Sequence, residues 1–421
     1  MTEQLHQRFS TEEIKTFLEE YLDEKSKLVY ILEILKITKR RFFQLLKEYR
    51  KDPGNFSIRY KRKKATRRIS KDVEKNIILE LEKEKKLIEN KDIPIKFYNY
   101  SYIKDRIYQT YRQRVSLPTI INRAKKEGFY KPRQKERVSH EREVLTNYVG
   151  ELIQHDSSHH MFSPYADNKW YLITSLDDYS RLLLFTKLIE KETSWQHILA
   201  LQNTFLTFGF PFSYYVDSHS IFRFVQGRDS FWRKHYLVTD EADTQWKRVM
   251  DDCKVKPIYA LSPQARGKIE RPYRWMQDRI VRTCAREEVR TIKEAKKVLE
   301  EEVTRYNYHQ VHSTTREIPI LRFERAVKEK KSLFRDFKIP SPYKSVKDIF
   351  CLRVKRTVDP YHKISLDKLT FKVHKAPLRE KVELRIVPDD KTGMAEVRIW
   401  YKDILTDVYQ VKNSDLNSVK F

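Results

Sequence analysis

Between residues 150 and 217 the chain takes on a texture that leaves few folds open. Three apolar runs rich in aromatic and β-branched residues, at 150–155, 170–176 and 182–189, precede a longer stretch at 194–208 and a short run at 214–216. Short runs of that composition form strands and the longer stretch suits a helix, so the order predicts a mixed α/β sheet. Asp156 follows the first run and Asp217 closes the last, near strand ends, where ligands commonly gather in open α/β sheets. A third carboxylate, Glu270, lies after a Ser262-Pro263 loop and Gly267, in the first turn of a helix that runs to about 285. The chain holds 59 Asp and Glu, so any three can be picked out by chance and the flanking residues must carry the claim. Taken singly, Asp156 reads equally as a turn residue, Asp217 as a strand-end cap and Glu270 as a favourable charge in a first helical turn.

Charge points to the partner. The 421 residues carry a formal +27 and a pI near 9.7, which favours a polyanion over a small neutral substrate. Residues 1–150 hold 37 Lys and Arg against 22 Asp and Glu, whereas residues 151–250 hold 10 against 12. A basic front followed by a locally acidic block is what nucleic-acid docking followed by a cation site requires; a merely solubilising surface would spread its charge evenly.

The front reads as paired helices. Leu28, Ile31, Leu32 and Leu35 form one apolar face, and Thr38 caps a second helix with Phe42, Leu45 and Leu46 inward. That spacing suits a helix-turn-helix module over 1–56, with Lys39, Arg40, Arg41, Gln44 and Lys47 turned toward DNA. An ordinary helical hairpin would share the apolar pattern. The theme returns over 70–135, where Ser116 caps a helix with Ile120, Ile121 and Ala124 inward, Thr119, Asn122, Arg123 and Lys126 outward, and Gly128 as a stop. The linker at 57–69, with Lys61, Arg62, Lys63, Lys64, Arg67 and Arg68, has no apolar period and suits phosphate tracking or a solvated connector.

After a basic connector at 326–347, five short apolar runs in 348–421 (350–358, 369–373, 382–387, 395–401 and 408–411) predict a small β-barrel, with a sandwich as the other arrangement. Cys253, Cys284 and Cys351 are isolated and odd in number, which offers neither a disulfide framework nor a Cys-x-x-Cys zinc site. The amino terminus is polar and no run of about 18 apolar residues occurs, so a cytoplasmic or nucleoid-associated protein without a membrane partner is expected.

Five blocks then carry a resemblance. They are Gln154-x-Asp156-x-Ser158-His159, Leu176-Asp177-Asp178-Tyr179-Ser180-Arg181, Val216-Asp217-Ser218, Ser262-Pro263-Gln264-Ala265-x-Gly267-x-Ile269-Glu270-Arg271, and Tyr306-Asn307 followed by His312-Ser313-Thr314. In these blocks the chain resembles bacterial insertion-sequence transposases that share the retroviral integrase core. The resemblance implies a multidomain α/β protein: helix-turn-helix modules, a ribonuclease H-like mixed α/β catalytic core over 148–325, and a carboxy-terminal barrel. It implies that Asp156, Asp217 and Glu270 hold two Mg²⁺ or Mn²⁺ ions, with Asp156 bridging both. Element 3′ ends would be cleaved and then joined to target DNA, by at least a dimer acting on terminal inverted repeats, with a helper ATPase undecided. Arg271 and Arg274 would contact DNA, and His159 would orient the Asp156 strand or touch phosphate. Asp177 and Asp178 fit a turn better than a metal site, given Ser180 and Arg181.

The chain also departs from the family. The intervals within the triad are 61 and 53 residues. The second is long, which reads as an aromatic insertion near 219–246, and Gln277 stands where many relatives place a basic residue. Two rival readings remain: a metal-dependent, structure-specific nuclease on the same core, and a non-catalytic DNA-binding regulator derived from a transposase.

Overall fold

The structure is a computed structural model that describes residues 4–59, 69–132, 146–217, 221–222, 244–259, 267–416 and 419, with backbone alone at 267–274. The basic linker residues Lys61, Arg62, Lys63, Lys64, Arg67 and Arg68, most of the 219–246 insertion, and the side chains of Glu270, Arg271 and Arg274 lie outside the described residues. The chain divides into two compact units, Met1–Lys75 and Asn76–Phe421.

The first unit holds α1 (Leu5–Arg8), α2 (Thr11–Leu22), α3 (Leu28–Leu35) and α4 (Lys39–Lys51). Ser10 and Glu13 close a capping box on α2, and the Thr38 hydroxyl accepts the Arg41 N–H at the start of α4. Lys36, in the left-handed region at φ 48°, turns the chain between α3 and α4. Ile14, Leu18, Ile31, Leu35, Phe42, Leu45 and Leu46 meet in one core, so the apolar spacing does decide which faces turn inward.

The second unit begins with α5 (Lys71–Glu89, from Asn76 onward), α6 (Tyr100–Tyr111) and α7 (Leu117–Lys126), with Asn99 capping α6 and Ser116 capping α7. Next come β1 (Leu152–His160), β2 (Trp170–Asp177), β3 (Leu183–Ile189), α8 (Ser194–Phe208), β4 (Ser213–Val216), α9 (Gln245–Asp252) and β5 (Lys256–Tyr259). The five strands form one sheet in the order β3-β2-β1-β4-β5. β1, β2 and β3 pair antiparallel, and β4 and β5 add in parallel, which is the mixed sheet the sequence predicts. Side chains alternate across a strand, so the sheet serves two cores, one on each face. Ile153, Tyr214 and Val216 pack with Trp195, Ile198 and Leu201 of α8 on one face. On the other face, Leu172 and Leu176 meet Met276 and Ile280 of α10 (Gly267–Arg286) and Val298 and Leu299 of α11 (Ile292–His309).

A strap of chain after α12 (Pro319–Lys328) crosses the end of this layer. Leu333 N–H donates to Val149 C=O at 2.8 Å, and Phe210 and Arg335 exchange a pair of backbone hydrogen bonds at 2.8 and 2.9 Å. At Gly209 (φ 93°) a Cβ would lie 2.3 Å from the Arg335 carbonyl oxygen, so the approach requires glycine.

Beyond α13 (Val346–Ile349), β6 (Leu352–Thr357), β9 (Lys381–Asp389), β10 (Met394–Tyr401) and β11 (Ile404–Lys412) make an antiparallel sheet in the order β11-β10-β9-β6; β7 (Lys363–Leu366) and β8 (Leu369–Lys372) pair as a separate hairpin. The expected small barrel therefore does not close among the described residues. Apolar alternation specifies that strands exist, whereas closure depends on what meets the edges. At the β6 edge that partner is Gln245 of α9, whose carboxamide accepts the Arg353 N–H at 2.7 Å and donates to the Arg353 carbonyl at 2.8 Å. The sheet also shares its core with the mixed sheet, through Phe350 against Phe205 and Phe337 against Phe210.

Candidate active site

The register of β1 and β4 brings two of the three carboxylates together. The strands run parallel with Leu152 opposite Ser213, Ile153 opposite Tyr214 and Gln154 opposite Tyr215. Two residues beyond that last rung, both chains reach an aspartate, Asp156 on β1 and Asp217 immediately after β4. Both are half-buried. Period-two alternation puts Asp156 with Gln154 and Ser158, on the α10–α11 face of the sheet, where Tyr215 of β4 also packs.

Glu270 belongs to the helix on that same face. The Gln277 carboxamide donates to the Ser158 hydroxyl, and Ser158 is two residues from Asp156 on the same side of β1. Glu270 and Gln277 are seven residues apart on α10, which returns to nearly the same helical stripe. The backbone thus carries position 270 along the stripe that faces β1. Gln277, a departure from the family pattern, ties α10 to the strand bearing Asp156.

Asp177 and Asp178 do a different job. Both are fully buried at the turn after β2. Asp177 accepts from the Gly150 N–H at 2.8 Å and from the Ser180 N–H and hydroxyl at 2.8 and 2.5 Å. Burial pushes its carboxyl up to about 6, against those three donors. Asp178 takes Arg181 at 2.8 Å, Thr146 at 2.8 Å and the Gln154 carboxamide. The turn-stabilising reading holds, with Ser180 and Arg181 as the residues that fill it.

His159 was expected to orient the Asp156 strand or to touch phosphate. Three residues on from Asp156, it lies on the opposite face of β1, where its ring stacks on Tyr171 at 4.1 Å. It lines an open groove of about 1310 Å³ with Lys169, Lys191 and Arg290. Its ring contact ties β1 to β2. On that opposite face a network missed in the sequence also holds β1: the Ser175 hydroxyl meets His155 Nδ1 at 2.9 Å, His155 Nε2 meets His197 Nδ1 at 2.8 Å, and His197 Nε2 meets Glu192 at 2.9 Å. The Ser157 hydroxyl donates to the same Glu192. Burial holds the His155 imidazole neutral, well below its ordinary range.

The tail of the core is also structural. Asn307 of α11 accepts the Leu183 N–H and donates to the Leu183 carbonyl, each at 3.0 Å. His312 Nδ1 accepts from the Thr314 N–H at 3.3 Å, and burial, with Arg181 and Arg322 beside it, lowers its pKa to about 4.

Of the helix residues expected to meet DNA, Lys39, Arg40, Arg41, Gln44 and Lys47 are exposed on α4, and Asn122 and Lys126 on α7; Thr119 and Arg123 are half-buried. Among the described residues, which do not include the Glu270 side chain, no cluster of three or more His, Cys, Asp or Glu could hold a metal ion. The pair that is described offers only hard carboxylate oxygens, a donor set suited to Mg²⁺ or Mn²⁺. No helix among the described residues is long and apolar enough to cross a membrane.

No family model matches the chain. The protein named "Putative transposase y4bF" of Sinorhizobium fredii is 26% identical over 180 residues, which are 43% of this chain and 38% of that protein. The chain thus spans well under half of that relative's length. Among solved structures, a chain of the simian T-cell lymphotropic virus intasome, in complex with PP2A regulatory subunit B56 gamma, gives a TM-score of 0.34 at 12% identity, over 71% of this chain and 89% of that one. The HTLV-2 integrase catalytic core domain in complex with magnesium gives 0.30 at 15% identity, over 43% and 98%. The chain is similar in sequence to a bacterial transposase, and with that match stands its resemblance to insertion-sequence transposases with an integrase-like core.

Proposed function

We propose that the chain is a DNA transposase that binds the ends of a mobile element, cleaves at their 3′ ends and joins them to target DNA. The observation that carries this reading is that Asp156 on β1 and Asp217 just past β4 each come two residues after the rung that pairs Gln154 with Tyr215, beside the helix α10 that bears position 270. The sheet order β3-β2-β1-β4-β5 supports a ribonuclease H-like core over about 148–325. Asp156, Asp217 and Glu270 would together hold two Mg²⁺ or Mn²⁺ ions, which supply activation of the attacking oxygen and stabilisation of the leaving one at a phosphodiester.

The chain's own residues do the rest. Gln277 ties α10, the helix of position 270, to the strand that bears Asp156. The exposed cations of α4, and Asn122 and Lys126 of α7, are suited to the phosphates and groove of duplex DNA, with Arg271 and Arg274 at the cleaved end. These parts correspond to helix-turn-helix modules at 1–56 and 70–135. Two ends must be held together for paired joining, so the working form is at least a dimer, acting in the cytoplasm on the nucleoid.

The test is incubation of the full chain with Mg²⁺, a duplex carrying the DNA that flanks its gene, and a target plasmid. Joined products are expected from the wild type. Asp156→Asn, Asp217→Asn and Glu270→Gln should each lower joining by at least about 1,000-fold, the scale of a lost transition-state interaction, with end binding retained. Cut but never joined DNA favours the nuclease, and binding without cutting favours the regulator.

A further inference from the structure

We propose that three arginines of α10 make α5–α7 a fixed positioning arm, which sets the distance between the sequence read by α7 and the phosphodiester that is cut. The inference rests on the transposase reading and adds a specificity that reading does not contain.

Arg279, Arg282 and Arg286 follow one another at three and four residues, on the side of α10 away from Gln277. All three leave water. Arg282 and its partner Glu84 of α5 are both 0% exposed. Arg286 bonds Glu80 of α5 at 2.6 Å, and Arg279 bonds Asp105 of α6 and Glu302 of α11, each at 2.8 Å. Asp278 receives Arg282 at 2.9 Å and the Asn99 carboxamide, at the α6 cap, at 2.6 Å. The Tyr102 hydroxyl meets Thr283 at 3.0 Å, and Ile93 and Ile95 pack on Val281 and Ala285.

Buried guanidinium and carboxylate groups hold each other in one geometry, because a shift that separates them strands a charge in a low-dielectric interior. Two further bonds tie α7 into the arm. Asn76 donates to Gln113 in the α6–α7 connector at 3.0 Å, and the Tyr100 hydroxyl donates to the Phe129 carbonyl beyond α7 at 3.1 Å. One helix therefore carries position 270 and Gln277 on the side of the sheet, and on its other side the base of the reading arm. A helix that holds a metal-binding position and also anchors a DNA-reading arm fixes how many base pairs separate reading from cutting.

The experiment uses the full chain and end duplexes in which the sequence protected by α7 is moved one or two base pairs toward or away from the natural cut. For the wild type, each shift should lower cleavage at the natural position by about 100-fold, since a displacement near 1 Å already costs that much and one base pair is several times larger. The paired replacements Arg282→Met with Glu84→Leu and Arg286→Met with Glu80→Leu exchange ion pairs for apolar contacts, a change that commonly preserves a fold. They should bind ends as before and cut shifted ends to within about tenfold of the natural one. Asp105→Asn, at a partly exposed position, gives the milder variant and should relax the same dependence in part.

A wild type that cuts natural and shifted ends equally overturns the inference and leaves the transposase reading intact. Strict spacing retained by folded clamp variants overturns it as well, because a merely structural clamp would not move this readout. A wild type that cuts no end at any spacing overturns both.

Discussion

At the scale of residues, Asp156 is held by its neighbours on both sides. His155 and Ser157 point to the α8 face and end on the same Glu192, while Ser158 on the other face meets Gln277. The strand is thus pinned from two sides around the carboxylate, which itself accepts the Ser157 N–H at 2.9 Å. His312 permits a pH prediction. Its folded pKa, about 4, lies below the ordinary 6.5, so its share of stability is present above 6.5 and is lost as pH falls through about 4. In a histidine-labelled sample, the His312 ring should remain neutral at pH 5; a midpoint near 6.5 would contradict the effect of burial beside Arg181 and Arg322. That Asp156 and Asp217 belong to neighbouring strands of one sheet was legible from the apolar runs before them, and Ser180 and Arg181 made the part of Asp177 and Asp178 legible. The placement of His159 was half legible: its odd separation from Asp156 already puts it on the other face. Its partner Tyr171 was not, since register between strands is no property of either one.

At the scale of elements, two carboxamides do the work of missing strands. Asn307 pairs with both backbone groups of Leu183 on the edge strand β3, and Gln245 does the same for Arg353 on β6. Each satisfies groups that an edge would leave open to water or to another chain. Asn307→Ala removes two buried hydrogen bonds and should lower unfolding free energy by about 2–4 kcal/mol. Urea unfolding checks this, and a change under about 0.5 kcal/mol would mean the edge finds other partners. The helices of the front were legible from caps and apolar spacing: Thr38, Ser116 and the inward Ile120 and Ala124 stand as expected. The rear was read correctly as strands, and the expected small barrel does not close among the described residues. A sequence reveals alternation along a strand but not that Gln245, more than a hundred residues earlier, occupies its edge.

At the scale of the whole molecule, charge is divided between jobs. Cations on α4 face solvent, whereas Arg279, Arg282 and Arg286 are spent on an internal clamp and add nothing to a DNA surface. A count of Lys and Arg cannot separate the two, and the three-and-four spacing on α10 was the overlooked signal. Removing Lys39, Arg40 and Arg41 as alanines should weaken end binding, and should flatten the slope of log affinity against log salt by about 0.9 for each phosphate that the protein no longer neutralises. An unchanged slope would take α4 off the DNA. Removing Arg282 should leave that slope alone. That Asp156 and Asp217 hold the divalent ions of strand cleavage is tested most directly by Asp217→Cys, with Asp156→Cys beside it. A thiolate is a poor ligand for the hard Mg²⁺ and a better one for Mn²⁺. Neither variant should cleave end DNA in Mg²⁺ and both should regain cleavage in Mn²⁺, with binding unchanged throughout; full cleavage by Asp217→Cys in Mg²⁺ would contradict the assignment.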